Sequence, residues 1–314
     1  MILCVTPNPA LDRTLVVPDF QLHDVSRATK VIAVAGGKGL NAARAIKQLG
    51  GDVTCAGVLG GHTGRLFAQL AAQEGLQCEW TWINNETRLA IIVADGSGHD
   101  ASLINEPGPS VTHDEWLQFA QSVTTLALKS HAVTFSGSVV KGPAPAQFAE
   151  LLASCVEQGA QVWADSSGEW LQAAAGVPRI NIKVNGEEAA SLLGQLVNEL
   201  RDAASAANAL REQFHLQRAI LTLGKGGAAC ADELGVWLAH PPAVKAVSSV
   251  GSGDCFLGAL VLALSEGCPL DDALRSAVAA GAANAMSVGG GQFDLNDYRN
   301  VMNATRVEKY DKAS

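Results

Sequence analysis

Val250-Gly251-Ser252-Gly253-Asp254 decides how this chain is read. It follows an apolar, strand-like run, Ala243–Val247, and opens a helix-like run, Cys255–Leu264. Two glycines let the backbone turn tightly and aim successive N–H groups at one point. The helix behind them adds the positive end of its dipole, so the corner suits an anion, a phosphate above all. Asp254 has two readings there. It is either a cap on a Gly-rich turn or a catalytic base beside an anion hole for a phosphoryl group in transfer.

Outward from this stretch, strand-like and helix-like runs alternate. Strands are expected at Ile2–Val5, Val53–Val58, Ala132–Phe135, Gln161–Ala164, Ile180–Lys183 and Ala219–Leu223. Helical spacing marks Leu40–Leu49, Gly64–Glu74, Trp116–Ala127, Pro145–Gln158, Trp170–Ala175, Glu187–Leu193, Glu199–Phe214, Leu270–Met286 and Asp294–Met302. Thr112 with Glu115 forms a capping-box pattern before the Trp116 helix. Such alternation implies an α/β fold: a central, mostly parallel sheet with helices on both faces. Residues 13–35 and 78–105 carry extra short strands without crossover helices: Leu15–Val17, Lys30–Ala35, Cys78–Trp82 and Arg88–Ala94. The polar tip Asn84-Asn85-Glu86 and the turn Gly96-Ser97-Gly98 punctuate them. They are expected to form a small separate sheet, a lid over one edge of the main one. No linker or repeat divides residues 1–314, so one domain is expected. Ligands of open α/β sheets sit beyond the carboxyl ends of the strands, and polar motifs follow Val5, Phe135, Ala164, Lys183, Leu223 and Val247.

Composition narrows the function classes. The 314 residues are 48% hydrophobic and 17% charged, with a net charge of −9. No basic cluster stands against that acidity, so a nucleic-acid groove or an anionic membrane surface is excluded as the main partner. The 7 cysteines are scattered without a C-x-x-C pair; they read as reduced thiols of a cytoplasmic protein, not as a disulfide frame or zinc site. The histidines also lack metal-ligand spacing. No apolar run is long enough to span a bilayer, and no charged leader precedes one.

Four further motifs carry chemistry. Gly37-Lys38-Gly39-Leu40-Asn41-Ala42 fits the dinucleotide fingerprint G-x-G-x-x-A. That fingerprint needs an acid at the end of the next strand for a ribose hydroxyl, and Val53–Val58 continues into Leu59-Gly60-Gly61-His62 without one. Asn8-Pro9-Ala10-Leu11-Asp12 places a carboxylate just past the first strand; Asp12 either holds sugar hydroxyls or caps a local turn. Asn185 and Glu188 either hold waters around a magnesium ion or simply open a helix. Thr222-Leu223-Gly224-Lys225-Gly226-Gly227 either lies against a nucleotide or is a hairpin.

In this order, Asn8–Asp12, Gly36-Gly37-Lys38-Gly39-Leu40-Asn41, Ser136-Gly137-Ser138, Lys183-x-Asn185-x-x-Glu188 and Gly251-Ser252-Gly253-Asp254 resemble the ribokinase/PfkB sugar kinases. The resemblance spans essentially the whole chain and is nearest the branch acting on phosphorylated ketohexoses. It implies a ribokinase-like fold and an ATP- and Mg²⁺-dependent kinase that converts tagatose-6-phosphate or a fructose phosphate to the bisphosphate. It also implies the roles. Asp254 is the base, and the N–H groups of Gly251, Ser252 and Gly253 form the anion hole. Asp12, Asn41, Gly36 and Gly37 hold the sugar. Lys38, Arg88, Arg27 and Ser138 hold its phosphate. Lys183, Asn185, Thr222, Gly224, Gly227 and Asn284 contact ATP, and Glu188 acts through Mg²⁺ with Asn185 by way of water; Asp165 belongs to the metal's outer shell. Relatives pair their lids, so a homodimer is expected. Val184 and Val139-Val140 stand where the family often has Pro and Leu-Pro; no reacting group is lost. A kinase of an unphosphorylated sugar or nucleoside is the first rival, and a sugar-phosphate-binding protein without catalysis the second. Lys38 and the two arginines oppose the first, and Asp254 with both glycines opposes the second.

Overall fold

A computed structural model describes residues 1–94 and 101–310 of the chain. Its elements run β1 (Ile2–Thr6), β2 (Ala10–Val16), β3 (Lys30–Gly36), α1 (Lys38–Gln48), β4 (Val53–Gly60), α2 (Gly61–Gln73), β5 (Gln77–Ile83), β6 (Arg88–Ala94), β7 (Ala101–Asn105) and α3 (His113–Ala127). There follow β8 (Ala132–Ser136), α4 (Pro145–Glu157), β9 (Gln161–Asp165), α5 (Gly168–Ala175), β10 (Asn181–Asn185), α6 (Gly186–Leu193), α7 (Leu200–Gln213) and β11 (Arg218–Thr222). The chain closes with β12 (Ala228–Asp232), β13 (Gly235–His240), α8 (Ser252–Ser265), α9 (Leu270–Ala285), α10 (Leu295–Ala304) and β14 (Arg306–Lys309).

The main sheet has ten strands in the order β14-β13-β12-β11-β10-β9-β8-β1-β4-β5. From β11 to β5 every pairing is parallel; β12, β13 and β14 add an antiparallel margin. Strands β1, β4 and β8 are buried along their whole length, as continuous apolar runs must be when helices cover both faces. One apolar cluster joins the sheet to α3 through α7, and a second joins it to α1, α2, α8 and α9. On the second face α1 and α8 lie almost in backbone contact: a Cβ at Gly258 would sit 2.5 Å from the Ala42 carbonyl oxygen. Both functional helices are thus locked together below the site.

The second sheet is the lid, in the order β3-β2-β6-β7. Its composition corrects the expected one. Cys78–Trp82 falls within β5, which is the edge of the main sheet and pairs parallel with β4. The physical reason is α2, a crossover helix between β4 and β5 that makes the three a βαβ unit. Trp80 of β5 then packs edge-on against Phe67 of α2, ring centroids 5.5 Å apart. The expected turn Gly96-Ser97-Gly98 lies outside the described residues. Asp12 is also not in a turn past β1; it lies inside β2, a lid strand.

Two further differences concern the end of the chain. Ala243–Val247 is not a strand. Pro241 and Pro242 supply no amide protons to a ladder, and Val247 instead donates its N–H to the Ala285 carbonyl at 2.7 Å. The Gly251 turn is therefore reached by a loop braced on α9. Strand β14 had no alternation to reveal it, because three of its four residues are charged. The capping box at Thr112 and Glu115 forms as expected.

Candidate active site

Gly251 precedes α8 with φ of 79°, a left-handed conformation in which only glycine is unstrained. Space demands it too: a Cβ there would lie 2.7 Å from Gly290 Cα. Asn284 of α9 staples this turn. Its Nδ2 donates to the Val250 carbonyl at 2.7 Å and to Ser252 Oγ at 3.2 Å, and its Oδ1 accepts from Gly291 N–H at 2.9 Å. Asn284 is completely buried, and its bonds brace the turn. The amide of Ser252 is also occupied, donating to the Ser249 carbonyl at 3.2 Å. Of the expected anion hole, Gly251 and Gly253 keep amides without a backbone acceptor among the described residues.

Asp254, in the first turn of α8, is 7% exposed. Its Oδ2 accepts from Asn41 Nδ2 at 2.9 Å. Burial, and then the charge of Asp165, push its carboxyl up to about 6; the Asn41 bond, Lys38 and Lys183 pull the other way. Asp254 thus stands near a general base's working range. Asp165, at the carboxyl end of β9, accepts from Lys183 Nζ at 2.8 Å and from Lys38 Nζ at 3.1 Å. Burial opposes its charge, but the two ammonium groups outweigh it and hold its carboxyl below the usual range. Each of its oxygens accepts from one cation, so Asp165 anchors two lysines. Lys183 is the inner lysine, and a Cβ on Gly253 would come within 3.2 Å of its Nζ. It underlies the α8 turn and does not line the nucleotide cavity described below. Lys38 remains 42% exposed. Burial works against its proton, but Asp165 and then Asp254 outweigh it, so it stays a cation. The structure brings Lys38 to Asp165, where the charge of Asp254 is also felt.

The residues expected to hold the sugar lie where the lid meets β1 and β8. Gly36 leaves room for the Asp12 carboxylate, since a Cβ there would fall 2.3 Å from it. Burial raises Asp12 to about 6 against the attraction of Arg44 and Arg88. Gly37 turns the chain into α1 with φ of 123°. Arg88 opens β6 and donates to the Asn8 backbone carbonyl at 3.1 Å, while Asn8 Nδ2 donates to Ser138 Oγ at 3.0 Å. Two polar atoms here, Arg88 Nε and Asn8 Oδ1, are buried without a partner. Such groups are costly unless something else satisfies them. Arg27 is exposed on the loop between β2 and β3.

Where the nucleotide contacts are expected, a cavity of about 370 Å³ is lined by Asn185, Gly186, Glu187, Leu196, Val197, Asn198, Thr222, Leu223 and Gly224. Asn185 and Glu188 cap each other: Glu188 N–H donates to Asn185 Oδ1 at 2.9 Å, and Asn185 N–H donates to Glu188 Oε2 at 2.9 Å. Both remain hard oxygen donors at an exposed helix start, and the Glu188 charge is felt at Lys38. That donor set fits a hydrated magnesium ion, held through water. Among the described residues no group of three or more His, Cys, Asp or Glu side chains could hold a metal directly. Thr222–Gly227 is a hairpin between β11 and β12. Gly227 is needed for it, because a Cβ would meet the Ala239 carbonyl at 2.3 Å and φ is 102°.

Sequence reasoning passed over Asn8, Arg44 and Glu74. Asn8 lies in a motif that was read only for its aspartate. Arg44 follows Asn41 by three residues on α1, a spacing that puts the two side chains together. Its place among Ala42, Ala43, Ala45 and Ile46 was the available signal for a buried cation.

A family model for pfkB family carbohydrate kinases matches residues 8–296. The chain is 32% identical over 291 residues to ATP-dependent 6-phosphofructokinase isozyme 2 of Escherichia coli K12, covering 92% of this chain and 93% of that one. It is 31% identical over 287 residues to 1-phosphofructokinase of the same organism, covering 91% of each. The crystal structure of Escherichia coli phosphofructokinase-2 in complex with potassium superposes with a TM-score of 0.89 at 28% identity, over 96% of this chain and 98% of that one.

Proposed function

The chain belongs to the pfkB family of carbohydrate kinases, and from that premise we propose that it transfers the terminal phosphoryl group of ATP to a hydroxyl of a ketohexose monophosphate. The product is a ketohexose bisphosphate, and the acceptor is tagatose-6-phosphate or a fructose phosphate. One observation carries the reading: a buried carboxylate, Asp254, is held by Asn41 at the glycine-lined start of α8, with the cation of Lys38 at hand.

Asp254 takes the proton of the attacking hydroxyl as the new P–O bond forms and ADP departs. The free amides of Gly251 and Gly253 and the α8 dipole face the equatorial oxygens of the moving group, where fixed dipoles stabilise developing charge at no cost in reorganisation. Lys38, anchored by Asp165, supplies positive charge from the side. Asp12 orients the sugar hydroxyls. The orphaned Arg88 Nε and Asn8 Oδ1, with Ser138 and Arg27, receive the sugar's existing phosphate and hydroxyls. Asn185, Thr222 and Gly224 border the nucleotide, and a magnesium ion held in water by Asn185 and Glu188 neutralises the nucleotide's charge when bound.

The lid suggests a homodimer. Register places Ile32, Thr14, Ile92 and Leu103 side by side on the face that also carries Asp12. Ile32 and Leu103 are exposed. An apolar row on an uncovered sheet fits a second copy of itself. The 7 free thiols suit the reducing cytoplasm, where we place the protein.

A panel tests the proposal: kcat/KM with ATP·Mg²⁺ for tagatose-6-phosphate, fructose-6-phosphate, fructose-1-phosphate, and the corresponding free sugars. We expect phosphorylated acceptors to exceed their free counterparts by roughly 100-fold or more, the scale of a charge-assisted clamp. Equal use of the free sugars would transfer the reading to a kinase of neutral acceptors.

A further inference from the structure

Arg44 is an unusual side chain for the middle of α1. It is almost fully buried, yet every bond it makes leads toward the site or away from it to a distant helix. Its Nη1 donates to Asn41 Oδ1 at 2.9 Å. Its Nη2 donates to the Ala35 carbonyl of β3 at 2.6 Å and to Glu74 Oε1 at 2.8 Å, and its Nε donates to Glu74 Oε2 at 2.5 Å. Glu74 closes the C-terminal end of α2.

An asparagine amide can present either end. Its oxygen must accept from Arg44 for its nitrogen to donate to Asp254. If the amide flipped, Asn41 Oδ1 would face the Asp254 carboxylate, lone pair against lone pair, and its NH₂ would face a guanidinium that can only donate. Arg44 therefore leaves one orientation open. The guanidinium is in turn held by the fork-to-fork pair with Glu74 and by Ala35, next to the glycine that makes room for Asp12.

We propose that the Arg44–Glu74 pair is a positioning device for catalysis, acting through Asn41 to set the direction of the Asp254 carboxylate. The chain of contacts runs Glu74, Arg44, Asn41, Asp254. It reaches from the end of α2 to the Asp254 carboxylate, and through Ala35 it ties that carboxylate to β3, an edge strand of the lid. Arg44 touches no reactant in this scheme. The inference rests on Asp254 being the base.

The test is a mutant cycle on Arg44→Met, Asn41→Ala and the double variant, with Asp254→Asn alongside. Arg44→Met is expected to lower kcat roughly 10- to 100-fold, the cost of a small misplacement of a reacting group, with the KM for ATP unchanged. The double variant should be no slower than Asn41→Ala alone. Multiplied losses in the double variant would overturn the proposal, as would a wild-type kcat for Arg44→Met. Should Arg44→Met fail to fold, Glu74→Gln takes its place: a fall in kcat that vanishes in the Asn41→Ala background supports the device, and an unchanged kcat refutes it. If Asp254→Asn itself keeps full activity, the base assignment has failed, and that result is separate from the outcome of the cycle.

Discussion

The floor of the site and its lid are built on opposite terms. On the floor, Asp254, Arg44, Asp165 and Lys183 are buried and Asn41 is half-buried, and each is bonded to another member or to its brace. The lid keeps an exposed arginine loop and an uncovered apolar row, and at its junction with the main sheet Arg88 Nε and Asn8 Oδ1 lack partners. The floor is complete before anything binds. On the proposed reading, the lid is completed by what binds. This division separates rate from recognition: preorganised charge belongs where the transition state forms, and an unsatisfied donor and acceptor belong where a ligand is to be captured.

Asp254→Asn is the most severe way to test that separation. The side chain keeps its shape and loses its basicity, so kcat should fall by about 10³-fold, within the span of general base catalysis, while the KM values for sugar phosphate and ATP change little. Wild-type kcat/KM should carry the same signature against pH. Burial raises the carboxyl to about 6, so the base is protonated and inactive below that pH, and activity rises as pH climbs through it. Asp12 is raised to a similar value, so the limb belongs to both groups. The Asn variant should lose its share of the limb. A limb near 4 in the wild type would mean that neither carboxylate is desolvated in solution.

Arg88→Ala should act on the other side of the division. Removing the cation from the sugar side is expected to raise KM for the phosphorylated sugar roughly 30-fold, in line with a lost charge-assisted bond of about 2 kcal/mol, with kcat changed less than threefold. Equal losses in kcat and kcat/KM would place Arg88 with the transition state and erase the contrast between floor and lid.

Much of the floor was legible in the sequence because its chemistry is local. Gly251, Gly253 and Asp254 announce a turn and a carboxylate within four residues, and β9 ends on Asp165 as an apolar run should, whereas Lys183 lies in the middle of β10. What stayed hidden was pairing across the chain. Nothing near Asp165 in sequence says that Lys38, 127 residues away, would take one of its oxygens. The burial of Asn284 was equally invisible, since a polar residue late in a helix reads as exposed until its three partners are known. The lid was partly misjudged for a different reason. Cys78–Trp82 looks like its neighbour Arg88–Ala94, and only the crossover helix before it assigns it to the main sheet. The resemblance to a family supplied roles that spacing could not, but it did not reveal the two ammonium groups that hold Asp165.

The smallest effect on stability should come from the lid's apolar row, and it sharpens the comparison most. Leu103 is 59% exposed, on an edge strand whose other neighbour is solvent. In a monomer, Leu103→Lys should shift unfolding free energy by no more than about 0.5 kcal/mol, as exposed substitutions do. If the row is where two copies meet, the same change buries a charge against an apolar surface and should shift sedimentation toward the monomer. Because Asp12 shares that face, the variant should also bind the sugar phosphate less tightly, with Asp254 still turning over what does bind. Loss of association with an unchanged KM would make the lid a dimer contact independent of substrate. Association as strong as wild type would show that the row faces water, and that the lid is closed by its ligand alone.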